Sequence, residues 1–347
     1  MSGLTKIEWA DAIWNPVTGC TKVSAGCTNC YAERQAKRFA GRFGYPAEHP
    51  FAVTLHAERL DEPLRWRKPR RIFVCSMSDL FHERVPNAFV EKVLAICAEA
   101  SWHQFLILTK RAERMAHWLT SEHVQTRIDG KLCSFVDDGF RLPAEPRGWD
   151  GTWPLPNVWL GTSVEDQQTA DERIPHLLQC PAAVRFVSYE PALGPVSLKS
   201  FLRCPQDVEW GHPCDRDENG VHTCGCGGGG GSYKTLDWVI AGGESGPKAR
   251  PAHLDWFRSV RDQCQAAGVP FFFKQWGEWG PVGLDAAFTG REEALNRDGE
   301  RSTVGIHLAM GVAGMDGWTL VNRVGKKAAG RLLDGLEQNA YPGEVKR

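Results

Sequence analysis

Seven short apolar runs between residues 52 and 276 each end in polar or glycine-rich residues, and this alternation limits the folds open to the chain. The runs are AVTLH (52–56), RIFVCS (71–76), QFLILT (104–109), NVWLGTS (157–163), VRFVSYE (184–190), LDWVIAGG (236–243) and VPFFFKQW (269–276). Stretches with apolar residues at helical spacing follow several of them, such as NAFVEKVLAICAEA (87–100) and EDQQTADERIPHLLQC (165–180). HLDWFRSVRDQCQAAG (253–268) does the same and ends at Gly268, which suits a helix stop before the next strand. Strands rich in β-branched and aromatic residues, apolar on both faces, belong to parallel sheets buried under helices.

An eighth strand is expected at ADAIWNP (10–16), so the repeating units run from about residue 10 to 280, close to the ~250 residues of a (β/α)₈ barrel. The expected fold is therefore α/β: a TIM-like (β/α) barrel, open or closed, over residues 1–280, with a C-terminal appendage, 281–347, packed on it. The competing fold is a doubly wound open sheet. Against it, no G-x-G-x-x-G follows a strand, and the polar strand ends are distributed over all units. Two insertions break the rhythm. Residues 124–156 carry a Pro/Gly/Trp-rich stretch expected at the surface, and 203–235 carry four cysteines and five consecutive glycines.

Composition excludes several function classes. Lys plus Arg is 41 and Asp plus Glu is 42, a balance that argues against bulk electrostatic binding to nucleic acid. No run approaches the ~20 apolar residues of a membrane helix, and the acidic N-terminal stretch does not read as a secretion signal. A cytoplasmic location and no membrane partner are expected. Twelve cysteines in such a chain point to metal ligation or buried thiols, since disulfide scaffolds belong to small secreted proteins.

The strongest chemical signal is GCTKVSAGCTNCYAER (19–34). It spaces Cys20, Cys27 and Cys30 as C-x6-C-x2-C on a polar loop that leads into a helix. Unliganded cysteines are usually apolar core residues, whereas these sit among Thr, Lys, Ser and Asn. Three thiolates suit three corners of a cubic iron–sulfur cluster; a structural zinc ion would need a fourth ligand from elsewhere in the fold.

This loop resembles the cluster-binding loop of radical S-adenosylmethionine enzymes. More closely, the chain resembles a phage- and prophage-associated family of radical-SAM-like proteins with a three-cysteine loop. The matching stretches include NPVTGCTKVSAGCTNCYAE (15–33), CSMSDLFHERVP (75–86), ILTKRAERM (107–115), RFVSYEPALGPV (185–196) and WVIAGGESGPKARP (238–251). The resemblance implies a partial or complete barrel, with Cys20, Cys27 and Cys30 as ligands of a [4Fe–4S] cluster. It implies S-adenosylmethionine as cofactor, cleaved reductively to methionine and a 5′-deoxyadenosyl radical that abstracts a substrate hydrogen. An electron donor such as flavodoxin or ferredoxin would be the partner, and the phage setting suggests a nucleotide or nucleic-acid base as substrate. The chain departs from the pattern in two respects. The first spacing is longer than the commonest one, and Asn29 stands where an aromatic residue often precedes the last cysteine, with Tyr31 following it instead.

In a barrel, residues just past the strand ends face one cavity. Those singled out are Asp79, Lys110 and Lys274 for substrate orientation and proton transfer, and Glu190, Gly242, Gly243, Glu244 and Ser245 for cofactor polar groups. A charge next to a sheet edge is costly unless it is paired or used. Trp276 and Trp279 are expected, half exposed, as pocket walls. In the second insertion Cys204, Cys214, Cys224 and Cys226 form a candidate structural zinc site, which would explain how a segment so poor in apolar residues folds. A non-catalytic, zinc-stabilised nucleic-acid-associated protein of phage or mobile-element origin is the alternative function.

Overall fold

The computed structural model describes residues 3–134, 149–202, 222–223, 232–282, 292–303 and 317–343. The core is one sheet of eight strands: β1 (Gly3–Leu4), β2 (Ala12–Trp14), β3 (Arg71–Val74), β4 (Gln104–Thr109), β5 (Val158–Val164), β6 (Val184–Tyr189), β7 (Trp238–Gly242) and β8 (Phe271–Gln275). Their spatial order is their chain order. The pairs from β2 to β8 are all parallel, and β1 joins β2 antiparallel at the edge. Each crossover thus steps one place in the same direction, with none of the reversal that defines a doubly wound sheet. The sheet does not close; β1 and β8 are its two edges. On the β8 side, Phe273 N–H donates to the Gln338 carbonyl at 2.9 Å, and Phe272 bridges Asn339, so the chain's tail covers that edge.

The two faces of the sheet are unlike. Ile72, Val74, Ile107, Leu160, Val187 and Phe273 pack against the helical layer. That layer contains α2 (Asn87–Glu99), α3 (Ala112–Leu119), α5 (Gln167–Gln179) and α6 (Leu254–Ala266). Residues of the other parity, among them Phe73, Leu106, Trp159, Phe186, Trp238 and Phe272, form a separate cluster that includes no helical residue and is capped by Trp9 and Ala10. Trp9 lies 4.7 Å from Phe73 and 6.4 Å from Phe186, ring centre to ring centre. One indole touching β3 and β6, three places apart in the sheet, requires the sheet to curl around it. Helices outside and aromatic side chains inside are the arrangement of an opened barrel.

Three expectations about the elements meet their outcome here. The run at 52–56 is not a sheet strand: Thr54–Leu55 pairs antiparallel with Val17–Thr18 above the strand ends. Its residues from Ala52 to Leu55 are half-buried or exposed, whereas a parallel strand is buried on both faces. The edge position belongs instead to Gly3–Leu4. Within the 124–156 insertion, α4 (Val124–Ser134) joins the helical layer, with Val124 and Ile128 buried in the main core. Cys204, Cys214, Cys224 and Cys226 lie outside the described residues. Among the described residues, no helix is long and apolar enough to cross a membrane.

Gly161 on β5 makes room for the inner aromatic layer, because a Cβ there would stand 2.5 Å from the Phe186 ring. Gly161→Ala should therefore destabilise the fold by roughly 1–3 kcal/mol through overpacking. Trimming the ring as well, in Gly161→Ala/Phe186→Leu, should recover part of that loss in denaturant unfolding. Strictly additive losses would contradict the packing described.

Candidate functional site

All parallel strands end on the same edge of the sheet, and there the chain encloses a cavity of about 520 Å³, within the usual size of a small-molecule site. Cys20, Cys27 and Cys30 line it. So do Asp79, Lys110, Glu190 and Lys274, together with Gly243, Glu244 and Ser245. Of the residues singled out near the sheet, only Gly242 is not in the wall; it ends β7 inside the sheet. A Cβ on Gly243 would meet the Trp276 carbonyl oxygen at 1.9 Å, so this glycine lets the ends of β7 and β8 approach.

The cysteine loop starts after β2 and ends at α1 (Tyr31–Arg38), directly past Cys30. Side chains from the strand ends hold most of it in place. Arg111, past β4, donates to Thr21 Oγ1 at 2.9 Å and to Cys20 Sγ at 3.5 Å. His82 Nε2 is 2.9 Å from Thr21 Oγ1. Glu165, past β5, accepts from Ser24 Oγ at 3.1 Å. A Cβ on Gly26 would stand 2.4 Å from Glu165, so the backbone passes there as glycine. Past β7, Arg250 donates to the Ala25 carbonyl at 3.0 Å, and Asn29 Nδ2 donates to Glu244 at 3.1 Å and to the Lys248 carbonyl at 2.7 Å. Tyr31 keeps part of its ring at the surface while its hydroxyl donates to the Ser76 carbonyl past β3.

Four of the acidic strand-end residues are paired with a cation. Glu190 takes two bonds from Lys274 Nζ, at 2.8 and 2.9 Å. Glu244 is gripped by Arg250 through Nε at 2.8 Å and Nη2 at 2.6 Å. Fully buried Glu165 is bonded by Lys110 Nζ and lies 3.2 Å from Arg173 Nη1. Asp79 accepts from Phe81 N–H, Thr109 Oγ1, Lys110 N–H and Arg111 Nη1 at 2.7–3.2 Å. With both oxygens engaged, it is built as an anchor more than as a proton carrier. Burial pushes the Cys20 thiol up to about 11, aided by Asp79 and opposed by Arg111, and burial also raises Cys30. Burial would raise the Glu244 carboxyl too, but its bonds from Arg250 and Asn29 prevail and hold it below the usual range.

The three loop thiols are free and half-buried, and Cys27 is an electrostatic neighbour of both Cys20 and Cys30. Among the described residues, no group of three or more His, Cys, Asp or Glu could hold a metal ion as it stands. Among the described residues, the fourfold donor set of a structural zinc site is not assembled around the loop. A cluster takes its thiolates on separate irons, and the donor set of three soft thiols opening on one cavity fits that demand.

Several contributors were not legible beforehand. The N-terminal segment supplies a wall through Ile7 and Trp9. Trp276 and Trp279, expected at the pocket, are instead buried: Trp276 packs edge-on against Phe257 and Phe273 at 5.2 and 5.0 Å, and Trp279 donates to the Ala249 carbonyl at 2.7 Å. Gly277, at φ 83°, turns the chain out of β8, and Trp276 joins the core cluster on the helix side. Asp166, one of the strand-end acids, caps α5 by accepting from Thr169 N–H at 2.9 Å.

Residues 4–342 match the model of a family described as protein of unknown function (DUF5131), and the chain belongs to that family. No curated protein matches the sequence. Among solved structures, a complex of spore photoproduct lyase with a dinucleoside spore photoproduct is similar at TM-score 0.34 and 9% identity, over 77% of this chain. The chain spans 64% of that structure's length. A point mutant of the same lyase is similar at TM-score 0.36 and 11% identity, over 90% of this chain and 74% of the other.

Glu244→Gln should cost roughly 1–3 kcal/mol at neutral pH by leaving Arg250 without its charge partner. The folded-state carboxyl is held below its ordinary value, so its stabilisation is complete above that value and is lost as pH falls through the folded one. In urea unfolding, the gap between the native chain and Glu244→Gln should hold from neutral pH to about 5 and shrink as pH falls below the ordinary carboxylate value of about 4.3. A gap that widens in acid would contradict the pairing.

Proposed function

We propose that the chain is a radical S-adenosylmethionine-type iron–sulfur enzyme acting on a nucleotide or nucleic-acid base. In this reading Cys20, Cys27 and Cys30 would hold a [4Fe–4S] cluster, and the cavity they line would take S-adenosylmethionine. The bound cluster supplies the electron for reductive cleavage of the sulfonium, received from a donor such as flavodoxin or ferredoxin. The observation that carries the reading is that three free thiols and the charged ends of five parallel strands line one cavity.

The chain's own residues have distinct tasks. Glu190 and Ser245 offer hydrogen bonds to cofactor hydroxyl and ammonium groups. Gln275 links the two, donating to Ser245 Oγ at 2.8 Å and to Glu190 at 3.4 Å. Lys274 has three N–H donors and spends two contacts on Glu190, so it can still turn one donor towards an anionic group. Lys110 holds the matching place across the cavity, bonded to Glu165. Glu244 acts mainly through Asn29 and Arg250, fixing the end of the cysteine loop. Trp9 and Phe73, their rings tilted 53° to one another, give the cavity an aromatic wall, which suits a base and keeps water out.

Anaerobically reconstituted protein should carry roughly four irons and four sulfides per chain at this loop. With dithionite and S-adenosylmethionine it should yield 5′-deoxyadenosine, separable by chromatography, while Cys27→Ala yields none. Fully loaded protein that neither binds nor cleaves S-adenosylmethionine under several reductants would defeat the proposal.

A further inference from the structure

We propose that Arg111, held by Asp79 and Glu83, sets the reduction potential of the cysteine site by fixing a buried guanidinium against the sulfur of Cys20. This rests on the cluster reading above but asks a separate question of it. The Arg111 side chain is 5% exposed, and its fork is occupied at every nitrogen. Nη1 lies 3.5 Å from Cys20 Sγ and 3.2 Å from Asp79 Oδ2; Nε donates to Glu83 at 2.8 Å; Nη2 donates to Thr21 Oγ1 at 2.9 Å and to the Thr21 carbonyl at 3.3 Å. Arginine keeps its charge at any pH the fold survives, so this is a permanent cation at a ligand sulfur.

The physical consequence has a definite sign. Accepting an electron adds one negative charge to a cluster, and a fixed cation or N–H donor at its sulfur favours the reduced form. Arg111 therefore raises the potential. Asp79 and Glu83 lower it in part, because they neutralise the guanidinium: Asp79 shares Nη1 with Cys20, and Glu83 takes Nε. They are not equal in weight: Asp79 is buried, while Glu83 is 63% exposed and screened by water. Asp79 becomes a positioning residue in this account. Its hydrogen bonds from Phe81, Thr109 and Lys110 explain why the guanidinium cannot swing away.

The test is a redox titration, followed by electron paramagnetic resonance, of the reconstituted full-length chain without S-adenosylmethionine. Iron and sulfide are counted first. Arg111→Gln should shift the reduction equilibrium at least tenfold towards the oxidised form, a midpoint about 59 mV lower. Arg111→Lys, which keeps the charge, should recover most of the shift. Glu83→Gln, at the exposed end of the network, should move the midpoint the other way by twofold or more in the equilibrium. That variant also carries the test should Arg111→Gln fail to fold or load. A loaded native chain whose midpoint is unmoved by Arg111→Gln, or by Glu83→Gln where the first does not load, overturns this inference and leaves the cluster reading standing. A native chain that takes up no cluster overturns both.

Discussion

Residues 19–30 cross the edge of the sheet with few backbone partners, and buried or half-buried charged side chains from the strand ends hold them there. Gly19 and Cys20 bond to the backbone at Met77 and Phe51, but beyond them the attachments are Arg111, Glu165, Arg250 and the Glu244–Asn29 bond. Taking such charges out of water is costly, and each is retained only because it is paired and hydrogen-bonded. Those pairs fix where a loop with a single 3₁₀ turn, Ala25–Cys27, lies, and with it where three thiols open.

The curvature of the sheet makes this possible. Six steps in one direction, with the helices on a single face, turn the other face inward on itself. Trp9, Phe73, Phe186 and Trp238 fill the interior, so the hollow survives only towards the strand ends, where the side chains are polar. Incomplete closure matters as well. The N-terminal segment and the tail run along the open edges, and Ile7 and Trp9 become cavity wall instead of surface. Cavity, loop and charge pairs thus follow from one winding direction.

Much of this was legible in the sequence because it is local. Runs such as QFLILT and VRFVSYE announce buried parallel strands, and the polar residues that follow them face the cavity for the same topological reason. The cysteine spacing, too, is contained in one loop. What escaped detection depends on contacts between distant segments. Lys110, Arg111 and Arg114 look like a solvent-facing basic patch at helical spacing, yet Arg111 turns inward to Asp79 and Cys20, and nothing in its own neighbourhood says so. Likewise Val53 and Leu55 have strand chemistry, yet Thr54 and Leu55 pair with Val17 and Thr18 outside the main sheet. Trp276 and Trp279 sit beside charges in sequence but are buried in the fold, and Gly277 redirects the chain between them.

The central claim is that the three thiols of this loop would hold one cluster at the cavity that Glu190 and Lys274 also line. Anomalous diffraction at the iron edge, from crystals of the anaerobically reconstituted chain, tests it most directly. The account predicts one compact iron peak within bonding distance of Cys20, Cys27 and Cys30. Iron absent from the loop, or a single zinc ion bound there, would contradict it.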